Sequence, residues 1–195
     1  MDSRREGEVT DAALVSAARA GDERAFEALL LRHEARVLRL LRLLGVPPDD
    51  RDDVAQEVFI RVFRHLGGFR TGRPFTAWIY RITVNAAHDQ RNHARRVGRR
   101  EQPWEPAHAE SPDRRRGAEE LIDLERRRQR LERTLERLSE RERAVFVLCQ
   151  LEELATREVA RSLGISTITV RRHLSRARAR LQEILGPEGK KVSCG

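Results

Sequence analysis

The residues with the clearest chemistry lie near the C-terminus. From Thr167 to Arg178 the chain places small hydroxyl side chains first and guanidinium groups after them. Val170, Leu174, Ala177 and Leu181 recur at steps of four, three and four, which puts them on one face of a helix. At about 100° per residue, Arg172, Ser175, Arg176 and Ala179 point the opposite way, and Thr167, Ile168, Thr169 and Arg171 crowd the helix start. Hydroxyls and the unsatisfied N–H groups of a helix start hold phosphate. An arginine fork pairs with the two acceptors on a guanine edge. This is the chemistry of a helix laid in a DNA major groove.

A second cluster lies between Phe59 and Tyr80. Six of the nine aromatic residues fall there: Phe59, Phe63, Phe69, Phe75, Trp78 and Tyr80. Arg61, Arg64, Arg70, Arg73 and Arg81 are interleaved with them or adjoin them. Aromatic faces beside cations make a platform for unstacked bases of single-stranded nucleic acid. The same rings also suit the core of a small helical domain. Phe59, Phe63 and Tyr80 are expected in that core, and some of Phe69, Arg70, Phe75, Trp78 and Arg81 are expected to be exposed near the loop.

Other chemistry is hard to find. The six histidines (33, 65, 88, 93, 108 and 173) do not pair with cysteines at metal-ligand spacing. His88 and His93 are five apart, off the four-residue step of a zinc helix. Cys149 falls on an apolar helix face, and Cys194 lies in a polar tail. No Ser-His-Asp pattern, phosphate-binding glycine loop or paired-carboxylate pocket stands out, so no catalytic residue, metal or cofactor is expected. A nuclease, which needs a carboxylate or histidine cluster, is disfavoured.

The elements that must carry these residues are nearly all helical. Asp22 reads as the N-cap of a long helix with Phe26, Leu29, Leu30, His33, Val37, Leu40, Leu41 and Leu44 on one face, stopped by Gly45, Pro47 and Pro48. The acidic run 49–53 suits the start of the next helix, whose stripe is Val54, Val58, Val62 and Leu66. Gly67-Gly68 ends it, and another helix runs from about Phe75 to Arg96. From 97 to 117, prolines and a charged run interrupt the pattern and read as a linker. Helical order resumes near Ala118, where Leu124, Leu131 and Leu138 repeat every seven residues. Ser139 and Glu142 have capping-box spacing. Val159, Ala160 and Leu163, then Gly164, Ile165 and Ser166, make the first helix and turn of a helix-turn-helix. The predicted fold is all-α, as two small helical domains: an N-terminal segment 1–21, a front domain 22–96, a linker 97–117, a rear domain 118–185 and a tail 186–195.

Composition agrees. The 195 residues carry +8 formal charge, and only Lys190 and Lys191 of the 39 basic residues are lysine. A chain this rich in arginine suits a polyanion. No apolar run approaches the roughly 20 residues of a membrane span. The polar start and the two cysteines fit a reducing cytosol, so a cytoplasmic protein is expected.

Three segments taken in order are more specific than any of these features. Asp52-Asp53-Val54-Ala55-Gln56-Glu57-Val58-Phe59, then Phe75-Thr-Ala-Trp-Ile-Tyr-Arg-Ile-Thr-Val-Asn85, then the helix-turn-helix resemble a bacterial sigma factor of the extracytoplasmic-function (ECF) group. Region 2 of that family would span about 22–96 and region 4 about 130–185.

The resemblance implies a transcription initiation factor that binds core RNA polymerase, recognises −35 and −10 promoter elements and assists melting. It implies that Asp53, Gln56, Glu57 and Arg61 dock on the largest-subunit clamp, and that the flap is a further polymerase contact. Phe69, Arg70, Phe75, Trp78, Arg81 and Asn85 would hold the −10 element as a single strand. Thr167, Thr169, Arg171, Arg172, Ser175 and Arg176 would read the −35 element as duplex. Family members are commonly held by an anti-sigma partner. Ile168 departs from the family, which often has glycine there. The competing reading is a free-standing helix-turn-helix regulator whose front half is a sensor.

Overall fold

The computed structural model describes residues 9–70, 72–96 and 117–185, with side chains from 123 onward in the last stretch. The elements are α1 (Asp11–Arg19), α2 (Glu23–Leu43), α3 (Arg51–His65), α4 (Phe75–Arg96), α5 (Gly117–Glu136), α6 (Glu140–Phe146), α7 (Thr156–Leu163) and α8 (Thr167–Leu185). Short 3₁₀ turns at Pro48–Asp50 and Leu66–Gly68 flank α3, and a wide π turn, Val147–Leu151, extends α6. Among the described residues there is no strand. The linker expected at 97–117 lies, but for its last residue, outside the described residues, as do His108, Cys194 and the tail.

Local chemistry sets the helix ends. The Asp22 carboxylate accepts from the N–H groups of Arg24 (3.0 Å) and Ala25 (3.2 Å), satisfying two donors at the start of α2. At the other end Gly45 turns left-handed (φ +81°). The N–H of Val46 then reaches the Leu41 carbonyl at 3.0 Å and that of Gly45 reaches Arg42 at 2.9 Å. Buried Val46 packs beside the helix it terminates, which completes a Schellman motif. Ser139 and Glu142 cap α6 reciprocally. The acidic run is less literal than expected. Asp50 sits at the start of α3 with helical torsions and makes no capping bond, while Asp52 and Asp53 supply the first-turn charge.

The front module packs α1 to α4 around Leu29, Val37, Leu40, Leu41, Val58, Val62, Ile79 and Tyr80. The stripe Val54, Val58, Val62 and Leu66 is buried throughout. The rear module packs α6, α7 and α8 around Val145, Leu148, Val159, Val170 and Ala177. Of the seven-residue repeat only Leu138, just past the end of α5, is buried; Leu124 (61 %) and Leu131 (38 %) remain exposed, and Leu135, off the repeat, is buried instead.

The two modules pack against each other, and one continuous apolar cluster runs through both. At the seam, Ser162 Oγ donates to the Ala77 carbonyl (3.3 Å) and Tyr80 Oη to Glu152 (2.5 Å), which also faces Arg39 at 3.4 Å. Glu140 pairs with Arg91 (3.4 Å) and Arg95 (2.8 Å). The carbonyl of Leu44, at the negative end of α2, accepts from Arg91 of α4 and from Arg143 of α6. Two guanidinium groups thus finish one helix, one of them supplied by the other module.

Candidate DNA-reading and polymerase-docking surfaces

The rear module presents the helix that the sequence predicts. Gly164 at φ +64° allows the tight turn between α7 and α8. Ser166 Oγ then accepts from the Thr169 N–H at 3.1 Å and caps α8. Val170 and Ala177 are fully buried and Leu181 nearly so, which fixes the rotation of the helix. Arg171, Arg172, Ser175 and Arg176 consequently face solvent. Thr167 and Thr169 are half-buried, and the Thr169 hydroxyl shares a hydrogen bond with Ser166 at 2.9 Å. The flanking arginines have other tasks: Arg178 donates to Gln150 (2.8 Å) and Arg180 to Glu142 (3.0 Å). Burial, and then the neighbouring Arg172, hold the His173 imidazole below its ordinary range, so that side chain adds no cation to the stripe near neutral pH.

In the front module the aromatic cluster differs from the sequence expectation. Phe69 and Phe75, expected among the candidates for exposure near the loop, are 5 % and 4 % exposed. Their rings meet edge to face at 5.6 Å, and Trp78 touches both at 5.1 and 5.5 Å. His33 closes the set 5.1 Å from Phe75. Burial lowers the His33 pKa against the pull of Asp11, which lies 2.9 Å from Nε2, so the ring is neutral and donates to the carboxylate. Phe69 and Phe75 are therefore posts under the loop. The accessible groups are Arg70, Arg81 and Asn85, with part of Trp78.

Phe63 errs the other way. Expected in the core, it is 66 % exposed and meets Phe26 edge to face at 5.1 Å. It lies one residue past the buried Val62, about 100° round α3, at the lip of a groove between α2 and α3. Phe26, Leu30, Phe59, Ile60 and Gln56 line that groove with it.

The four α3 residues grouped by the sequence reading divide. Asp53 and Gln56 are exposed, Gln56 on the groove wall. Arg61 is held between Glu57 and Asp89 of α4, at 2.7 Å from each. Those two carboxylates, Glu57 first, raise the arginine's pKa. Sequence reasoning missed the groove; its signal was apolar Ile60 and Phe63 lying off the valine stripe. Among the described residues no group of three His, Cys, Asp or Glu side chains is placed to hold a metal.

Comparison with known proteins decides between the readings. A family profile described as sigma-70 region 2 matches residues 29–97, and one described as sigma-70 region 4 matches 128–181. The ECF RNA polymerase sigma factor SigM of Mycobacterium tuberculosis is 34 % identical over 181 residues, covering 92 % of this chain and 86 % of the relative. The chain belongs to the ECF sigma factors. The ECF sigma-E factor of Escherichia coli is 33 % identical, with 92 % and 96 % covered. CnrH, solved in complex with the cytosolic domain of CnrY, aligns at TM-score 0.65 with 31 % identity over 90 % of this chain and 96 % of that one. In this sigma factor, α6, α7 and most of α8 fall within the region 4 match, and α3, α4 and most of α2 within the region 2 match.

Proposed function

We propose that this chain is an alternative transcription initiation factor that mounts on core RNA polymerase, recognises a −35 and a −10 element and assists promoter melting. The observation that carries the reading is the presence of both sigma regions, in order, within relatives matched over nearly the whole chain. On this reading the working units are 22–96 and 118–185.

Arg171, Arg172, Ser175 and Arg176 meet the −35 duplex, with Thr167 and Thr169 near its backbone. Their exposure opposite a buried helix face supports this. Arg70, Arg81 and Asn85 hold the displaced −10 strand beside Trp78, and Phe69 and Phe75 keep the loop in place from beneath. A carboxamide reads two atoms of a base edge, and an indole edge accepts stacking. Asp53 and Gln56, beside the apolar groove of α2 and α3, meet the polymerase clamp. Glu57 and Arg61 brace that surface against α4. The flap is a second polymerase contact.

The factor catalyses nothing itself; the polymerase supplies the chemistry. It works in the cytoplasm, and among the described residues no helix is long and apolar enough to cross a membrane. An anti-sigma partner holds it until a signal arrives. CnrH, a relative 31 % identical over most of both chains, is solved with a cytosolic protein domain bound.

The test is capture of core polymerase by the full chain, compared with a Gln56→Ala, Glu57→Arg double variant. The reading expects capture by the native chain and at least a tenfold loss in the variant. A native chain that fails to capture core polymerase sinks it.

A further inference from the structure

Ile168 is the most exposed large apolar residue in the described structure, at 74 %. It sits in the first turn of α8, two residues past the Ser166 cap, and its place on the helix explains the exposure. At about 100° per residue, Arg171, Arg172, Ser175 and Ala179 fall within about 60° of it. Val170, Ala177 and Leu181, which anchor α8, lie on the opposite side. No rotation that keeps those three buried brings Ile168 into the core. Its side chain is thus the one large hydrocarbon on a face made otherwise by Arg171, Arg172, Ser175 and the small Ala179.

A lone exposed apolar residue is ordinary on a protein surface. This one is flanked by Arg171 and Arg172, and charge complementarity makes duplex DNA the occupant of the face. In a major groove the one hydrocarbon group that base pairs present is the C5-methyl of thymine. We infer that Ile168 is a specificity-determining residue that packs on a thymine methyl within the upstream promoter element. The inference rests on the role proposed above for α8 and adds to it a base preference that the arginines do not supply, since their forks favour guanine.

The experiment uses holoenzyme reconstituted from core polymerase and the full chain. Transcript start sites first define the upstream element. Each thymine of that element, on either strand, is then replaced singly by deoxyuridine, which removes the methyl and keeps every hydrogen-bonding group. Burial of one methyl-sized group corresponds to roughly a fourfold change in affinity. One position is expected to lose about fourfold with the native chain and nothing with Ile168→Ala, whose folding is undisturbed because the side chain touches no core. Arg172→Ala is expected to keep that fourfold step while binding more weakly at every template. A flat response at all thymines, an element without thymine, or a step that survives in Ile168→Ala overturns the inference and leaves the sigma reading standing. Absence of any promoter-directed transcript from the native holoenzyme overturns both.

Discussion

Gly45 is where backbone strain and the seam between modules meet. It follows α2 at φ +81°. A β-carbon built there lies 2.0 Å from Nη1 of Arg143. That guanidinium donates to the Leu44 carbonyl at 3.1 Å and to the Leu135 carbonyl at 2.9 Å, so it cannot retreat without loss. Gly45→Ala forces an L residue into left-handed torsions, at about 1–2 kcal/mol. It also displaces a hydrogen bond from a charged donor, at about 1.5–3 kcal/mol. The stiffer unfolded chain returns about 0.4–1 kcal/mol. The expected net destabilisation is about 2–4 kcal/mol.

Gly21 supplies a matched control. It ends α1 in the same motif at φ +96°, and nothing lies within 4 Å of its β-carbon. Gly21→Ala is therefore expected to cost about 1 kcal/mol. Urea unfolding of the full chain measures both. In an Arg143→Met background the Gly45→Ala penalty is expected to fall to that of Gly21→Ala. Equal penalties in the native background, or an excess at Gly45 that persists without Arg143, would refute the claim that α6 is fastened to the end of α2.

Arg172→Ala and Arg176→Ala are each expected to cost about 1–3 kcal/mol at the −35 element, measured by holoenzyme binding. Equal losses on unrelated duplex would demote them to phosphate contacts. His33, neutral and buried, has its pKa lowered, so the unfolded state takes up its proton first. Its contribution to stability is complete above the ordinary histidine value of about 6.5 and declines as pH falls from there toward the lowered folded value. Unfolding midpoints across pH 7 to 5 are expected to fall less steeply in His33→Leu than in the native chain. Tyr80, with its pKa raised by burial and then by Glu152, behaves oppositely. The folded state holds its proton more tightly, so stability is complete below about 10 and is lost as pH rises beyond it. Tyr80→Phe is expected to remove that alkaline loss, read by unfolding midpoints between pH 9 and 11.

What the sequence made legible was local. Asp22, Ser139, Ser166 and Gly164 announce helix ends because a capping oxygen or a left-handed turn must come from particular side chains. Val54, Val58 and Val62 announce a buried face because the helical period fixes which residues share a side. The period does not say what covers the neighbouring side. Phe69 is buried because Phe75 and Trp78 reach it from α4, and Phe63 is exposed although Phe26 of α2 meets its ring, because it lies at the lip of the groove and not beneath it. The seam was hidden for the same reason. Tyr80, Ser162 and Arg143 find their partners 72, 85 and 99 residues away, and nothing in their own segments marks a residue that packs across modules rather than within one. On α8, exposure followed from the pattern because one buried face determines the other.

The most direct measurement of the central claim is sequencing of transcript 5′ ends made by core polymerase with and without this chain on fragmented genomic DNA. The account predicts a set of new start sites sharing two upstream blocks, each set at a fixed distance, that vanish with the Gln56→Ala, Glu57→Arg variant. Start sites no different from those of core polymerase alone would contradict it.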